Sequence, residues 1–233
     1  MLIPPFPRHP LRNLGPHESH TRWSEEYLLG PAVPSFPHTL LILELLVQDT
    51  CVDLATVSEL ILGDMGATIQ ILRLAGKEFG NSQERPRRIP DCIASLGLEH
   101  CLEAASIARW PRDRQHMPVY ECWNHSRQIA KYCGLLAGQI DEINPDEAYL
   151  VGLLHELGTL PGLLRWHQSQ SEPGEDALAG YMLAKQWVLP EFIAESMLEH
   201  SSRRPARWAN IVLAAHELAR TGIRGDAFPL ASS

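Results

Sequence analysis

Apolar residues recur at three- and four-residue spacing from Phe36 to about residue 221, a pattern that predicts helices throughout this region. No segment alternates apolar and polar residues as a half-buried strand would. In the first half of the pattern the predicted helices cover 40–47, 53–62, 65–75, 90–96 and 98–110. In the second half they cover 119–140, 145–157, 159–167, 174–187, 190–200 and 205–221. The predicted fold class is therefore all-α.

A polar break over 111–118 divides the helices into two halves, about 36–112 and 117–221. The connections are short, so the halves are expected to pack as one multi-helix bundle. Residues 1–35 are rich in proline and histidine and lack periodicity, which predicts an irregular N-terminal arm. The small and polar residues of 222–233 predict a frayed tail.

Helical spacing also predicts which side chains enter the core. In the helix 53–62, Leu54, Val57 and Ile61 share one face and are expected to point inward. At 233 residues, with 45% hydrophobic residues, the chain is long enough and apolar enough to bury a substantial core.

The segment 152–158 (Gly-Leu-Leu-His-Glu-Leu-Gly) places an imidazole beside a carboxylate at the end of an apolar helix. Asn144 is the predicted N-cap of that helix, with Pro145 at its first position, and Gly158 is the predicted C-cap. His155 shares a face with apolar residues one and two turns earlier, so its ring is expected to point into the core. A buried ring of this kind needs a polar partner or a metal ion.

Other histidines occupy comparable positions on separate helices. His125 lies at the edge of an apolar face, and the stripes of two later helices carry His200 and His216 inward. A single inward histidine is more often a hydrogen-bonded core residue than a ligand. Four such residues make a convergent metal site a second interpretation, which sequence spacing alone does not decide.

The charge and the apolar runs exclude several classes of protein. The longest apolar stretch, Leu40–Val47, is interrupted by Glu44, so no segment is long enough to span a bilayer. The proline-rich start does not read as a signal peptide, and we expect a cytoplasmic protein. A formal net charge of -8 argues against direct binding to nucleic acid.

Two basic clusters depart from the acidic balance and are candidate sites for an anionic ligand, such as a nucleotide, or for the acidic patch of a partner. A solvated basic turn is the alternative interpretation. The clusters consist of Arg85, Arg87 and Arg88, and of Arg203, Arg204 and Arg207.

The five cysteines form no C-x-x-C pair, and most fall on apolar helical faces. They are predicted to be small reduced core residues rather than a disulfide framework.

The order of these signals resembles the HDOD family, a bacterial signalling domain related to the HD metal-dependent phosphohydrolases. The resemblance covers roughly residues 31–221 and implies a helical domain with an HD-like C-terminal half. It rests on the segments 34–37 (Pro-Ser-Phe-Pro), 57–64, 71–75, 89–97, 123–126 (Trp-Asn-His-Ser) and 152–158.

The resemblance also implies a ligand set, from which this chain departs. In active HD enzymes the ligands are His, then His-Asp, then a later Asp, and the metal they hold activates a water. Here His125 and His155 take the first two positions, Glu156 replaces the adjacent Asp, and His216 occupies the late Asp position, with His200 in an assisting position. Such a set suits zinc, iron or manganese.

Three functions follow as expectations. The first is a non-catalytic regulatory protein that needs no cofactor and binds a signalling partner or a small ligand. The second is a metal-dependent phosphohydrolase acting on a nucleotide or cyclic dinucleotide. The third is a sensor that holds an anionic nucleotide through one of the arginine clusters without cleaving it.

Overall fold

The structure is a computed structural model that describes residues 33–49, 51–80, 82, 84–108, 110–111, 116–166, 175–199 and 207–221. All regular structure in these residues is helical, as predicted. The N-terminal half consists of α1 (Pro37–Val47), α2 (Leu54–Leu62), α3 (Met65–Phe79), α4 (Ile89–Leu96) and α5 (Leu98–Ala105). The C-terminal half consists of α6 (His116–Ala137), α7 (Pro145–Leu154), a 3₁₀ turn (Leu157–Thr159), α8 (Leu160–Leu163), α9 (Glu175–Gln186), α10 (Glu191–Glu199) and α11 (Arg207–Thr221).

The N-terminal half is built around α3, whose residues from Met65 to Leu72 are all buried. The extended segment 33–36 packs against this helix and is buried as well. The Ser35 hydroxyl donates to the carbonyl of Ala105, 2.8 Å away, so the start of the described chain is tied to the end of α5.

The C-terminal half is built around α6, which packs most extensively against α7 and also contacts α11. Helix α9 packs against α10 and against the 3₁₀ turn. One continuous hydrophobic core, from Val33 to Ala215, includes residues of both halves. The predicted bundle of two packed halves is therefore confirmed. Among the described helices none is both long and apolar enough to cross a membrane.

The start of α7 is as predicted, whereas its end differs. The Asn144 side chain caps the helix by accepting from the N–H groups of Asp146 and Glu147. The helix ends at Leu154 with His155 as C-cap, so the prediction that Gly158 closes it is wrong. Gly158 lies in the 3₁₀ turn, where the backbone of Asp176 lies so close that a Cβ would have no room.

Other differences concern the ends of helices. The predicted helix 98–110 ends at Ala105. The N–H of Ser106 closes its last turn by donating to the carbonyls of Leu102 and Glu103. Leu54, predicted to be inward, is 41% exposed because it is the first residue of α2 and lies outside the packed part of the helix. Val57 and Ile61 are buried as predicted.

Candidate metal centre

Three histidines from three different helices come together in the C-terminal half. His125 lies on α6, His155 caps α7 and His216 lies on α11. Their ring centroids are 5.4 Å (His125 to His155), 5.1 Å (His125 to His216) and 5.0 Å (His155 to His216) apart. One nitrogen of each ring lies within 4.8 Å of the corresponding nitrogens of the other two. Small side-chain adjustments would bring all three nitrogens to a single ion.

A glycine allows the first two of these helices to approach closely. A Cβ at Gly152 of α7 would lie 2.8 Å from both the Cα of Ala130 and the Sγ of Cys133 on α6. A hydrogen atom at this position removes that clash, so the two backbones can pack almost in contact. Because Gly152 is three residues before His155, the close approach occurs beside the triad.

The tautomer of His155 is fixed by the main chain. Its Nδ1 lies 2.8 Å from the carbonyl oxygen of Gly152, and a carbonyl can only accept, so Nδ1 carries the proton in the neutral ring. In the neutral ring the lone pair is then on Nε2, which is buried and faces the carboxylate of Glu156. A ring oriented in this way by a backbone carbonyl is the usual form of a metal-binding histidine.

Glu156 adds a carboxylate to the triad. Its Oε1 lies 3.4 Å from Nε2 of His155, and the two side chains are 32% and 6% exposed, respectively. The neighbouring His155 holds the pKa of Glu156 below its usual value, while burial acts in the opposite direction. Burial lowers the pKa of His125, and the adjacent His155 lowers it further. Both effects favour an ionised carboxylate and a neutral His125 ring, which are the forms that bind a metal.

An open groove of about 530 Å³ exposes one member of the triad, His125, to solvent. His125 and Glu156 line it together with Glu121 and Cys122 of α6. Glu121 was not among the predicted site residues. The signal was present, because Glu121 is four residues before His125 and so lies on the same side of the helix.

The remaining predicted site residues lie elsewhere or outside the description. Arg85 donates to the carbonyls of Val188 and Gly80, Arg87 is exposed, and Arg88 pairs with Asp146 at 2.7 Å. Arg207 stacks on the ring of Trp208, 4.4 Å from its centroid. Three predicted residues lie outside the described ranges: His200, Arg203 and Arg204.

Two related family models match this all-helical bundle and place it in the HD class of proteins. More specifically, the chain belongs to the HDOD domain family, whose model matches residues 33–172, more than half of the chain. The model of the HD domain matches residues 122–224, a range that contains the three histidines and Glu156. The predicted family is thus confirmed.

Solved structures support the fold. The chain is similar to the MmoQ response regulator from Methylococcus capsulatus str. Bath, with 21% identity over 84% of this chain and 90% of that one, and a TM-score of 0.65. It is also similar to a virulence factor from Campylobacter jejuni subsp. jejuni, with 18% identity over 82% of this chain and 78% of that one, and a TM-score of 0.56. No curated protein matches the chain significantly.

Proposed function

We propose that this protein is a non-catalytic regulatory protein whose HDOD domain binds one divalent metal ion through His125, His155, His216 and Glu156. The ion holds three helices in one arrangement, and the bundle acts by binding a signalling partner or a small ligand. The convergence of three imidazoles within 4.8 Å carries the metal-binding part of this proposal. Family membership, and a structural relative described as a response regulator, support the regulatory part.

The ligand types favour zinc or iron over magnesium. Imidazole nitrogens suit these borderline ions, whereas magnesium prefers an octahedral set of oxygen ligands. The strongest sign of fit is that Nε2 of His155 and Oε1 of Glu156 lie 3.4 Å apart beside the other two rings, close enough for one ion to be bound by both.

The chain's own charges argue against hydrolysis of a phosphate ester. An ion bound here would supply polarisation of a substrate oxygen and activation of water. However, Glu121 and Glu156 both line the groove through which a phosphate would approach, and their carboxylates repel it. The ligand set also carries less negative charge than that of active HD enzymes to hold a second catalytic ion, because His216 takes the place of the later aspartate.

Metal analysis tests the proposal directly. Protein purified without chelator is expected to contain about one zinc or iron per chain, and the metal is expected to be lost in His155→Ala and His216→Ala. His38→Ala is the matched control, because His38 is an exposed histidine on α1, in the other half. Protein that neither contains metal nor takes up zinc, iron or manganese in a titration would overturn the metal site.

A phosphohydrolase is the second candidate, because the open groove gives solvent and substrate access to His125 and Glu156. The metal-loaded protein should therefore be assayed with bis-p-nitrophenyl phosphate, mononucleotides and cyclic dinucleotides. We expect no turnover above that of metal-loaded buffer. Turnover that disappears in His216→Ala and persists in His38→Ala would establish the enzyme and overturn the non-catalytic role.

A further inference from the structure

A second cavity, of about 750 Å³, lies between the two halves and shares no lining residue with the groove beside the triad. Its volume is in the range of pockets that hold small organic ligands. Helices α3 and α5 form one side, and the chain around the end of α9 forms the other. The polar residues on its walls are Gln70, Arg73, Lys77, His100, Glu103, Gln186 and Trp187.

The cavity contains a largely buried cation without a counter-ion. The Arg73 guanidinium lies over the ring of Trp187, 4.5 Å from its centroid, and donates to the side-chain oxygen of Gln70. No carboxylate of the described residues lies within ion-pair distance of it. Burial lowers the pKa of Arg73 to about 10, and no opposite charge counteracts the shift. A guanidinium in this position is suited to a ligand that brings its own negative charge.

Two further polar atoms on the wall are buried and have no hydrogen-bond partner in the described part of the chain. They are Nε1 of Trp187, which can only donate, and Oε1 of Gln186, which accepts. Trp187 is 4% exposed, so bulk water does not satisfy its N–H. Both atoms are closed off from solvent, so a ligand in the open cavity reaches them only if these side chains shift.

The rest of the wall fits an anion with an organic body. Lys77 lies one helical turn after Arg73 on α3 and adds a second positive charge. Leu74, Ala104 and Ile107 provide apolar surface. Glu103 is the one carboxylate among the lining residues, and it is exposed at the rim.

From this arrangement we infer that the cavity binds an organic phosphate of nucleotide size. The phosphate contacts Arg73 and Lys77, and the organic body lies against the apolar wall. This site deepens the proposed regulatory function by giving it a ligand. It uses none of the four residues of the metal site, so an experiment can reject either the cavity or the metal site and leave the other standing.

The cavity has a structural connection to the histidine triad. Trp187 follows α9 directly, and the other end of this helix packs its Asp176 backbone against Gly158, two residues after Glu156. A ligand that fixes Trp187 therefore acts on the helix that supports the metal-binding turn.

Isothermal titration of the full chain with AMP, cyclic di-GMP and inorganic pyrophosphate tests the site. AMP or cyclic di-GMP is expected to bind more tightly than pyrophosphate, and adenosine, which lacks the phosphate, is expected to bind at least about tenfold more weakly than AMP. Absence of binding by all three anions at millimolar concentration would overturn the inference. Pyrophosphate binding as tightly as both nucleotides would also overturn it, because the site would then recognise an inorganic anion only.

Variants that remove a positive or a negative charge from the wall of the cavity test where the ligand binds. Arg73→Met is expected to weaken binding at least about tenfold, and Lys77→Met, at an exposed position that tolerates substitution, about three- to tenfold. Glu103→Gln is expected to strengthen binding about two- to fivefold, because it removes the one negative charge on the wall. Arg87→Met is the matched control, since Arg87 is exposed and does not line the cavity.

Binding that is lost in Arg87→Met but retained in Lys77→Met and unchanged in Glu103→Gln would overturn this assignment and place the anion on the basic loop. The metal content of every variant is measured in parallel and is expected to equal that of the wild type. A normal metal content with no nucleotide binding would reject the cavity alone, whereas nucleotide binding by a metal-free protein would reject only the metal site.

Discussion

The Asp64 carboxylate accepts a hydrogen bond of 2.6 Å from the backbone N–H of Phe36, 28 residues earlier in the chain. The same side chain caps α3 by accepting from the N–H groups of Gly66 and Ala67. Asp64 is completely buried, and burial raises its pKa while these hydrogen bonds oppose the rise. One carboxylate thus joins the extended segment 33–36 to α3, the central helix of the N-terminal half.

Asp64→Ala is expected to lower the free energy of unfolding by about 2–4 kcal/mol, because a buried cap and a long-range hydrogen bond are lost together. Urea unfolding followed by circular dichroism measures the change. Asp53→Ala is the matched control, since Asp53 caps α2 in the same way at an exposed position. A loss no larger than that of the control would show that the contact with Phe36 adds nothing.

Gly152→Ala is expected to destabilise the protein by about 1–3 kcal/mol and to weaken zinc binding, because the added methyl group forces α6 and α7 apart. Thermal unfolding and a zinc titration give the two readouts. Gly162→Ala in α8 is the control: nothing lies within 4 Å of its Cβ, so stability should stay constant or rise by up to about 1 kcal/mol. Equal effects of the two substitutions would refute the close-approach explanation.

Tyr149 of α7 donates a hydrogen bond of 3.0 Å to the carbonyl of Leu62, at the end of α2, and so connects the two halves. Tyr149→Phe is expected to cost about 1 kcal/mol of stability, because the carbonyl loses its side-chain partner. Denaturant unfolding at pH 8 measures the difference. An unchanged midpoint would mean that this link between the halves carries no net stability.

Burial also raises the pKa of Tyr149 to about 12, which makes its effect on stability dependent on pH. The unfolded phenol ionises near pH 10, whereas the folded one retains its proton. The unfolded state therefore binds fewer protons, and this contribution to stability is complete below pH 10 and is lost as the pH rises to 12. Melting temperatures between pH 9 and 12 should fall more steeply for wild type than for Tyr149→Phe.

The cysteines are expected to differ sharply in reactivity. No disulfide joins them, and Cys51 alone is exposed. Burial raises the pKa of Cys92, Cys122 and Cys133 to about 12 and that of Cys101 to about 11, so these thiols are protonated at pH 8. Ellman's reagent should modify one thiol rapidly in native protein, and Cys51→Ser should abolish that phase. A second thiol reacting at the same rate would contradict the burial pattern.

Much of the helical fold follows from the sequence because helix starts and apolar spacing are local. Asn144 could be recognised as an N-cap because the residues it caps are its immediate neighbours. Ends were harder to predict: α7 stops at Leu154 because the next residues form a turn that packs against Asp176, a contact with a distant segment. Leu54 is a second example: helical spacing predicts which face of α2 is apolar, but it does not predict how many residues of that face are covered by other helices.

The site could be predicted only in part for the same reason. Helical spacing directed His125, His155 and His216 inward, yet their convergence depends on how α6, α7 and α11 pack. The contact of Arg73 with Trp187 joins residues more than 100 positions apart and had no sequence signal at all. Arginine clusters are visible in a sequence, whereas a single arginine buried between two halves is visible only in three dimensions.

The third histidine of the triad, His216, lies on α11, the last described helix, some 90 residues after His125. A chain emerging from the ribosome therefore lacks a complete triad until this helix has been synthesised and has docked. Translation that stops before α11 would yield a polypeptide with two of the three imidazoles. Formation of the complete triad therefore depends on the synthesis and docking of α11, which carries the last of the three histidines in the sequence.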